Sequence, residues 1–156
     1  MTSLLASASA APTKLWDEIA PRLFMGGTPD PGEPDPGLPF DAVVTLYAFA
    51  PPADWLVQEL RYGFYDAGID VVDLDRVRAA ANWAFDRWQR GDRVLIRCQA
   101  GLNRSGLVMA LVLIRAGFEP SRAIQRIRAR RSRYALCNDE FADWLLAGRP
   151  SQDMKE

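Results

Sequence analysis

The chain has 156 residues, of which 49% are hydrophobic and 25% charged, and its formal net charge is −1. This length can build one domain with its own core, without disulfides or a structural metal. The near-neutral charge gives no sign of a nucleic-acid or membrane partner. The sequence contains no histidine, which removes histidine-based proton transfer and the commonest metal ligand. An enzyme built on this chain must therefore use Cys, Asp, Glu, Ser, Lys or Arg side chains.

The two cysteines, Cys98 and Cys137, are too few for a disulfide framework and suit a reducing compartment. The longest apolar run, residues 107–114, is too short to span a bilayer. We therefore expect a cytoplasmic protein that needs no metal or other cofactor and binds neither membrane nor nucleic acid. The sequence does not indicate an oligomeric state.

Composition divides the chain into a flexible N-terminal tail at 1–14, a single domain at 15–148 and a C-terminal tail at 149–156. The start of the chain is rich in alanine and serine but lacks the basic region of a signal peptide. Residues 29–39 contain five prolines and two glycines, and they must form a loop because proline donates no hydrogen bond to a helix or sheet.

The remaining pattern alternates short strands with helices. Strands are predicted at 22–25, 42–47 and 94–96, a short extended piece at 64–65, and helices at 54–62, 75–90, 105–116, 119–131 and 139–147. Such alternation predicts an α/β three-layer sandwich in which helices flank a largely parallel central sheet. Ligand sites in these folds form where the carboxyl end of a strand meets the following helix, so the strand ending at Ile96 is the natural candidate.

That strand runs into the sequence RCQAGLNRSG at 97–106. A tight loop at a helix N-terminus presents free backbone N–H groups and binds a phosphate dianion through them. Gly101 allows the backbone to turn or to approach closely. The expected phosphate-binding residues are Gln99, Ala100, Gly101, Leu102, Asn103 and Arg104.

Three side chains of this loop have a chemical role in the prediction. The same N–H groups favour the thiolate of Cys98, which is the nucleophilic form. Arg104 can hold two phosphate oxygens with its planar fork. The Ser105 hydroxyl can donate a hydrogen bond to the sulfur and help it leave a phosphoenzyme.

The segment VLIRCQAGLNRSGL at 94–107 resembles the phosphate-binding signature of cysteine-based protein phosphatases, especially the compact dual-specificity group. Weaker likeness extends over residues 16–147 and includes IAPRLFMGG at 19–27, AIQRIRARR at 123–131 and NDEF at 138–141. The resemblance implies a protein tyrosine or dual-specificity phosphatase that works through a cysteinyl-phosphate intermediate. One residue departs from the family pattern, since Arg97 stands where the family usually has histidine.

The family also uses an aspartate as general acid, on a separate loop roughly thirty residues before the cysteine. Asp66 is the preferred candidate because it follows the extended piece at 64–65 and precedes Gly68, and Asp70 is the second choice. Asp73 and Asp75 are better explained as residues of a helix N-terminus. Asn138 is expected to cap the last helix, and Cys137 is expected to be a buried structural cysteine.

The expected substrate is a protein carrying phosphotyrosine, phosphoserine or phosphothreonine. A phosphoinositide or an RNA 5′-phosphate, and a phosphate-binding module without turnover, remain as alternatives. Low-molecular-weight tyrosine phosphatases place the loop near the N-terminus, and rhodanese-type sulfurtransferases lack the Arg-Ser ending, so both rank lower. Between Arg115 and Arg133 seven arginines face only one acid, Glu119, so this region either attracts anionic substrates or is a solvated helix face.

Overall fold

A computed structural model describes residues 14–30, 33 and 37–148. Apart from Lys14, the tails predicted at 1–14 and 149–156 lie outside the described residues, as does part of the proline-rich segment. No helix in the described part of the chain is both long and apolar enough to cross a membrane.

Five short strands form one sheet within the described residues. They are β1 (Trp16–Ala20), β2 (Leu23–Gly26), β3 (Ala42–Thr45), β4 (Gln58–Arg61) and β5 (Val94–Arg97). Their order across the sheet is β1-β2-β5-β3-β4, with β1 antiparallel to β2 and every other pair parallel. The predicted α/β architecture with a largely parallel sheet is confirmed.

Four helices and one 3₁₀ turn complete the part of the fold that residues 14–30, 33 and 37–148 form. They are the 3₁₀ turn Ile69–Val71 and the helices α1 (Leu74–Gln89), α2 (Arg104–Arg115), α3 (Pro120–Arg130) and α4 (Asp139–Leu146). Asp73 caps α1 through the Arg76 N–H, and Asn138 caps α4 through the Phe141 N–H. All four helices lie within one or two residues of their predicted positions.

Alternation along the strands divides the core into two clusters. Met25, Val44 and Ile96 face the large cluster, which contains the buried faces of the helices. Their neighbours Phe24, Val43 and Leu95 face a smaller cluster on the other side, together with Leu38 and Phe40. Because successive side chains of a strand point to opposite faces, strands of only four or five residues contribute to both hydrophobic clusters.

Two strands differ from the sequence analysis: β1 was not predicted, and β4 lies in the segment that was predicted as a helix at 54–62. Residues 58–61 form β4, which pairs in parallel with β3, and Asp54 caps no helix. Trp55, within the same segment, is fully exposed. Gln-Glu-Leu-Arg has good intrinsic helix propensity, but pairing with the buried β3 edge overrides that preference.

The central strand β5 lies between β2 and β3 and is completely buried. It ends at the carboxyl edge of the sheet, immediately before Cys98, and the loop that follows leads into the N-terminus of α2 at Arg104. The switch in strand order on either side of β5 opens a crevice at this edge. The predicted loop therefore lies where a parallel sheet can hold a ligand.

Candidate active site

The loop from Cys98 to Arg104 joins β5 to α2. Cys98 is only 2% exposed, and its N–H donates to the Gly26 carbonyl at 3.1 Å. Gln99 and Ala100 are exposed, whereas Gly101 is buried and Leu102, Asn103 and Arg104 are half-buried. Leu102 packs against the core, which supports a packing role for its side chain.

Every peptide carbonyl from Gln99 to Asn103 accepts a hydrogen bond from the surrounding protein. The pairs are Gln99 O with Thr28 N at 3.0 Å, Ala100 O with Arg131 Nη2 at 3.3 Å, Gly101 O with Arg131 Nε at 3.1 Å, Leu102 O with Leu136 N at 3.1 Å, and Asn103 O with Leu107 N at 2.8 Å. By contrast, none of the backbone N–H groups of residues 99–104 donates to another described residue. The oxygens are thus turned into the protein, and the N–H groups remain for a ligand.

Gly101 makes this arrangement sterically possible. Its φ is +73°, in the left-handed region that favours glycine, and it lies against the backbone of β2. A Cβ at this position would collide with the carbonyl carbon of Gly26 and would lie 2.6 Å from Arg131 Nη2. A Cβ on Gly27 would lie 2.7 Å from the Gln99 carbonyl oxygen. The Gly26-Gly27 pair therefore lets the loop sit directly on the end of β2.

Arg131 supports the loop from below and is a residue whose role the sequence analysis missed. Its side chain is 2% exposed and donates to the Ala100 and Gly101 carbonyls, the Lys14 carbonyl and Asp17 Oδ2, the last at 2.9 Å. The sequence interpretation left residues 115–133 as either an anion-attracting region or a solvated helix face, and Arg131 fits neither because it is buried. Its guanidinium is fully engaged in holding two loop carbonyls away from the ligand side.

Arg104 is the first residue of α2, and its guanidinium faces the crevice. Nη1 donates to the Phe64 carbonyl at 3.1 Å, and Cζ lies 5.5 Å from the centre of the Tyr47 ring. Its Nε is buried and has no hydrogen-bond partner among the described residues. A buried guanidinium N–H without a partner is costly, and an anion bound at the loop would satisfy it.

Ser105 is completely buried directly behind the cysteine. Its Oγ lies 3.3 Å from Cys98 Sγ, within hydrogen-bonding distance for sulfur. The hydroxyl can therefore donate to the sulfur when the sulfur carries negative charge.

Asp66 is exposed, and two asparagine side chains hold its carboxylate in place. Asn103 Nδ2 donates to one oxygen and Asn138 Nδ2 to the other, both at 2.8 Å. Asn138 Nδ2 also donates to the Ala67 carbonyl at 2.9 Å, while its Oδ1 accepts from the Phe141 N–H. The same side chain therefore caps α4 and holds the segment that carries Asp66. Asp70, the second candidate, lies in the 3₁₀ turn and does not line the crevice.

A cleft of about 510 Å³ lies beside the loop. It is lined by Tyr47, Ala48, Phe49, Gly63, Phe64, Tyr65, Asp66, Gln99 and Arg104. The rings of Phe49 and Tyr65 are each 84% exposed at its mouth. The cleft therefore has an arginine and a carboxylate among its lining residues, and apolar rings on its walls.

Arg97, which stands where the resembled signature usually has histidine, points neither at the cysteine nor into solvent. It is 1% exposed, donates from Nε to Thr45 Oγ1 at 3.0 Å and from Nη2 to the Pro51 carbonyl at 2.8 Å, and forms an ion pair with Glu59 at 3.5 Å. Arg61 binds the same carboxylate at 3.0 Å and the Ala50 carbonyl at 2.8 Å. Together these side chains hold the loop between β3 and β4, which carries Tyr47 and Phe49.

The charge state of Glu59 reflects this cluster. Burial raises the pKa of the Glu59 carboxyl, but the hydrogen bonds from Thr45 and the Ala53 N–H and the charges of Arg61 and Arg97 outweigh burial and lower it. Glu59 is therefore an anion at neutral pH and compensates the buried charge of Arg97.

The structure also revises the expectation for Cys137, which is exposed and not a buried structural cysteine. Its Sγ lies 3.5 Å from Asn103 Nδ2, next to the amide that holds Asp66. No group of three or more Cys, Asp or Glu side chains that could hold a metal occurs within residues 14–30, 33 and 37–148.

No protein-family model and no curated protein matches the sequence. Solved structures do match. Human DUSP28 superimposes with a TM-score of 0.74 at 22% identity, covering 94% of this chain and 100% of that one. Tk-PTP in its active form gives 0.68 at 23% identity, with 88% and 99% covered. PTPMT1 in complex with PI(5)P gives 0.69 at 18% identity, with 91% and 97% covered.

These neighbours are dual-specificity phosphatases, and the chain has their fold over nearly its whole length. Sequence identities of 18–23% show a shared fold and leave the activity to be argued from the site.

Proposed function

We propose that this chain is a cysteine-dependent phosphatase of the dual-specificity type. It hydrolyses phosphate monoesters with Cys98 as nucleophile, Arg104 as phosphate-binding residue, Asp66 as general acid and Ser105 as donor to the sulfur. The observation that supports this most strongly is the loop itself, in which five carbonyls are bound by the protein while the N–H groups of residues 99–104 have no described partner. That polarity suits a dianion held over the cysteine.

Phosphate binding uses charge and geometry that exist before the substrate arrives. The N–H groups of residues 99–104 and the positive end of α2 attract the phosphoryl oxygens. Arg104 adds its free Nε, and its guanidinium fork stabilises charge on the equatorial oxygens in the transition state. Because Arg131 and Gly101 fix the loop in advance, little reorganisation is needed at the moment of reaction.

In the first chemical step the thiolate of Cys98 attacks phosphorus, and the bond from phosphorus to the ester oxygen breaks. Asp66 donates its proton to the departing oxygen, which leaves as a neutral alcohol or phenol. Asn103 and Asn138 orient the carboxyl for this transfer. The product of the step is a cysteinyl-phosphate on Cys98.

In the second step water attacks the phosphoryl group, and Asp66, now ionised, takes the proton of that water. The bond from sulfur to phosphorus breaks, and inorganic phosphate forms. Ser105 Oγ, 3.3 Å from the sulfur, donates a hydrogen bond to the thiolate as it leaves. The enzyme then returns to its starting state.

The proposed substrate is a cytoplasmic protein carrying phosphotyrosine, phosphoserine or phosphothreonine. A phosphoinositide and an RNA 5′-phosphate are the alternative phosphomonoesters, and PTPMT1 is a structural neighbour whose structure contains PI(5)P. The competing function is a phosphate-binding module without turnover. Arg97 in place of the usual histidine favours that alternative, because Arg97 makes its contacts with Thr45, Pro51 and Glu59 instead of assisting the cysteine.

The test is hydrolysis of p-nitrophenyl phosphate and phenyl phosphate in the presence of EDTA. We expect turnover by wild type, none by Cys98→Ser, and a loss of about 10²-fold or more for Asp66→Ala on phenyl phosphate, whose leaving group is the poorer. Asp70→Ala is the matched control and should retain activity. A wild type that binds phosphate but hydrolyses neither ester would be a phosphate-binding module.

A further inference from the structure

A second concave surface lies between the α2–α3 turn and α3. It is a groove of about 710 Å³, lined by Ala116, Gly117, Phe118, Glu119, Arg122, Gln125, Arg126, Ala129 and Arg130. None of these residues belongs to the cleft beside Cys98. The groove lining contains three arginines and one acid, although the whole chain has a net charge of −1.

The arginines form a regular row. Arg122, Arg126 and Arg130 are four residues apart on α3, so they share one side of the helix and follow one another at about 6 Å along its axis. Arg126 is half-buried, donates to the Ile19 carbonyl at 3.1 Å and lies over the Phe118 ring at 5.6 Å. Arg126 and Phe118 thus form the half-buried base of the groove, and the exposed Arg122 and Arg130 lie on either side of Arg126.

The two outer arginines have no acidic partner among the described residues, unlike several other arginines of the molecule. Arg61, Arg97 and Arg131 are each paired with an acid. Arg122 and Arg130 form no ion pair or hydrogen bond with any residue in 14–30, 33 and 37–148, and both are exposed. Two cations left unpaired in a concave surface favour an anionic partner.

The chemistry of the groove selects among anionic partners. Its one aromatic ring, Phe118, is half-buried beneath Arg126, so no free ring is available to stack on a nucleic-acid base. The exposed large hydrophobic residues in the described part of the chain all lie elsewhere, whereas membrane-surface helices insert such residues into lipid. Arginine clusters that recognise acidic or phosphorylated protein motifs need neither feature.

Spacing favours an extended protein segment. Alternate side chains of an extended chain lie on one side at about 6.7 Å intervals, close to the roughly 6 Å steps of the arginine row. An extended segment with an acidic residue at every second position can therefore place one carboxylate on each guanidinium. The row also leads toward the catalytic loop, because Arg130 is followed by Arg131, which binds the Ala100 and Gly101 carbonyls.

We propose that the Arg122–Arg126–Arg130 groove is a docking surface for an extended acidic segment of a partner protein. This inference does not depend on the proposed phosphatase activity, because docking needs no turnover. Where the partner is also a substrate, docking raises its local concentration near the loop and lowers KM without changing the chemistry at Cys98.

The test is fluorescence anisotropy with a labelled octapeptide of alternating glutamate and threonine. A peptide with glutamine at the same positions is the control for charge. We expect binding to wild type that weakens as salt rises. Binding should be roughly 3- to 30-fold weaker for the double variant Arg122→Gln/Arg130→Gln. The matched variant Arg87→Gln/Arg90→Gln removes the same charge at residues that do not line the groove, and should bind within about twofold of wild type.

Hydrolysis of p-nitrophenyl phosphate by both double variants should equal that of wild type, which shows that the fold is intact. Equal peptide affinity in wild type and Arg122→Gln/Arg130→Gln would overturn the proposal. So would tighter binding of an eight-nucleotide single-stranded RNA or of phosphatidylserine vesicles that is lost on the same substitution. A wild type that binds the peptide but hydrolyses no ester would defeat the proposed function and leave this inference standing.

Discussion

Asn103 Nδ2 lies 2.8 Å from Asp66 Oδ2 and joins the phosphate-binding loop to the segment that bears the proposed acid, 37 residues earlier in the chain. The same asparagine accepts from the Asn138 N–H at 3.0 Å. Loop, acid and the start of α4 are therefore connected through one side chain, and the position of Asp66 depends on the loop that binds phosphate.

Asn103→Ala is expected to slow hydrolysis of phenyl phosphate by about tenfold, and p-nitrophenyl phosphate less, because only the poorer leaving group depends strongly on proton donation. Asn138→Ser provides the comparison, since serine still caps α4 while the amide that contacts Asp66 is lost. Steady-state kinetics with both esters measures the effect. An equal loss on the two esters would show that Asn103 acts on phosphate binding instead.

Ser105→Ala should slow breakdown of the phosphoenzyme more than its formation. A hydrogen bond to a charged group contributes about 1.5–3 kcal/mol, so we expect the second step to slow by about 10- to 100-fold. Stopped-flow kinetics with p-nitrophenyl phosphate should then show a burst of nitrophenol followed by a slow steady state. The absence of any burst, with kcat and kcat/KM reduced equally, would contradict this role.

Gly101→Ala should abolish phosphate binding and destabilise the fold. The new methyl group meets the β2 backbone, which cannot move out of the way, in addition to the cost of about 1–2 kcal/mol for a left-handed alanine. Gly148→Ala is the control, because its φ is +78° but no atom lies within 4 Å of its Cβ position. Thermal unfolding of both variants separates the cost of the steric collision from the cost of the left-handed backbone conformation. Similar melting temperatures would mean that the loop tolerates the collision.

Glu59 should make the stability of the fold depend on acid. Because its folded-state pKa is lowered, the ionised carboxylate stabilises the fold above the pKa of an unfolded glutamate, about 4.3. This contribution is lost as pH falls through the lower, folded value. Melting temperatures from pH 7 to pH 3 should therefore show Glu59→Gln far less stable than wild type at neutral pH, with a gap that narrows in acid. A constant gap would contradict ionisation as the cause.

Local patterns in the sequence were enough to predict most of this fold. The strand predicted at 42–47 and the Asn138 cap each depend on neighbours in the chain, and the structure has β3 at Ala42–Thr45 and the cap at Asn138. Strand β4 was missed because its sequence favours a helix in isolation and becomes a strand only through pairing with β3. The roles of Cys98, Arg104, Asp66 and Ser105 remain predictions that the kinetics above will test.

The supporting residues of the site were beyond sequence analysis for a related reason. Arg131 meets Asp17 across 114 positions, and Arg97 meets Glu59 across 38. Nothing local distinguishes a buried arginine from the surface arginines around it, since only the folded chain brings its acid near. Long-range ion pairs are therefore visible only once the topology is known.

The burial of Arg97 also limits which residues can occupy positions 97 and 59 in evolution. Histidine and arginine codons can differ by a single base, so this position can change in one step. A histidine at 97 would leave Glu59 without its buried cation, however, and a neutral residue at 59 would leave Arg97 unpaired. We therefore expect positions 97 and 59 to have changed together in evolution. An alignment of relatives should show an acid at 59 where residue 97 is arginine, and another residue at 59 where residue 97 is histidine.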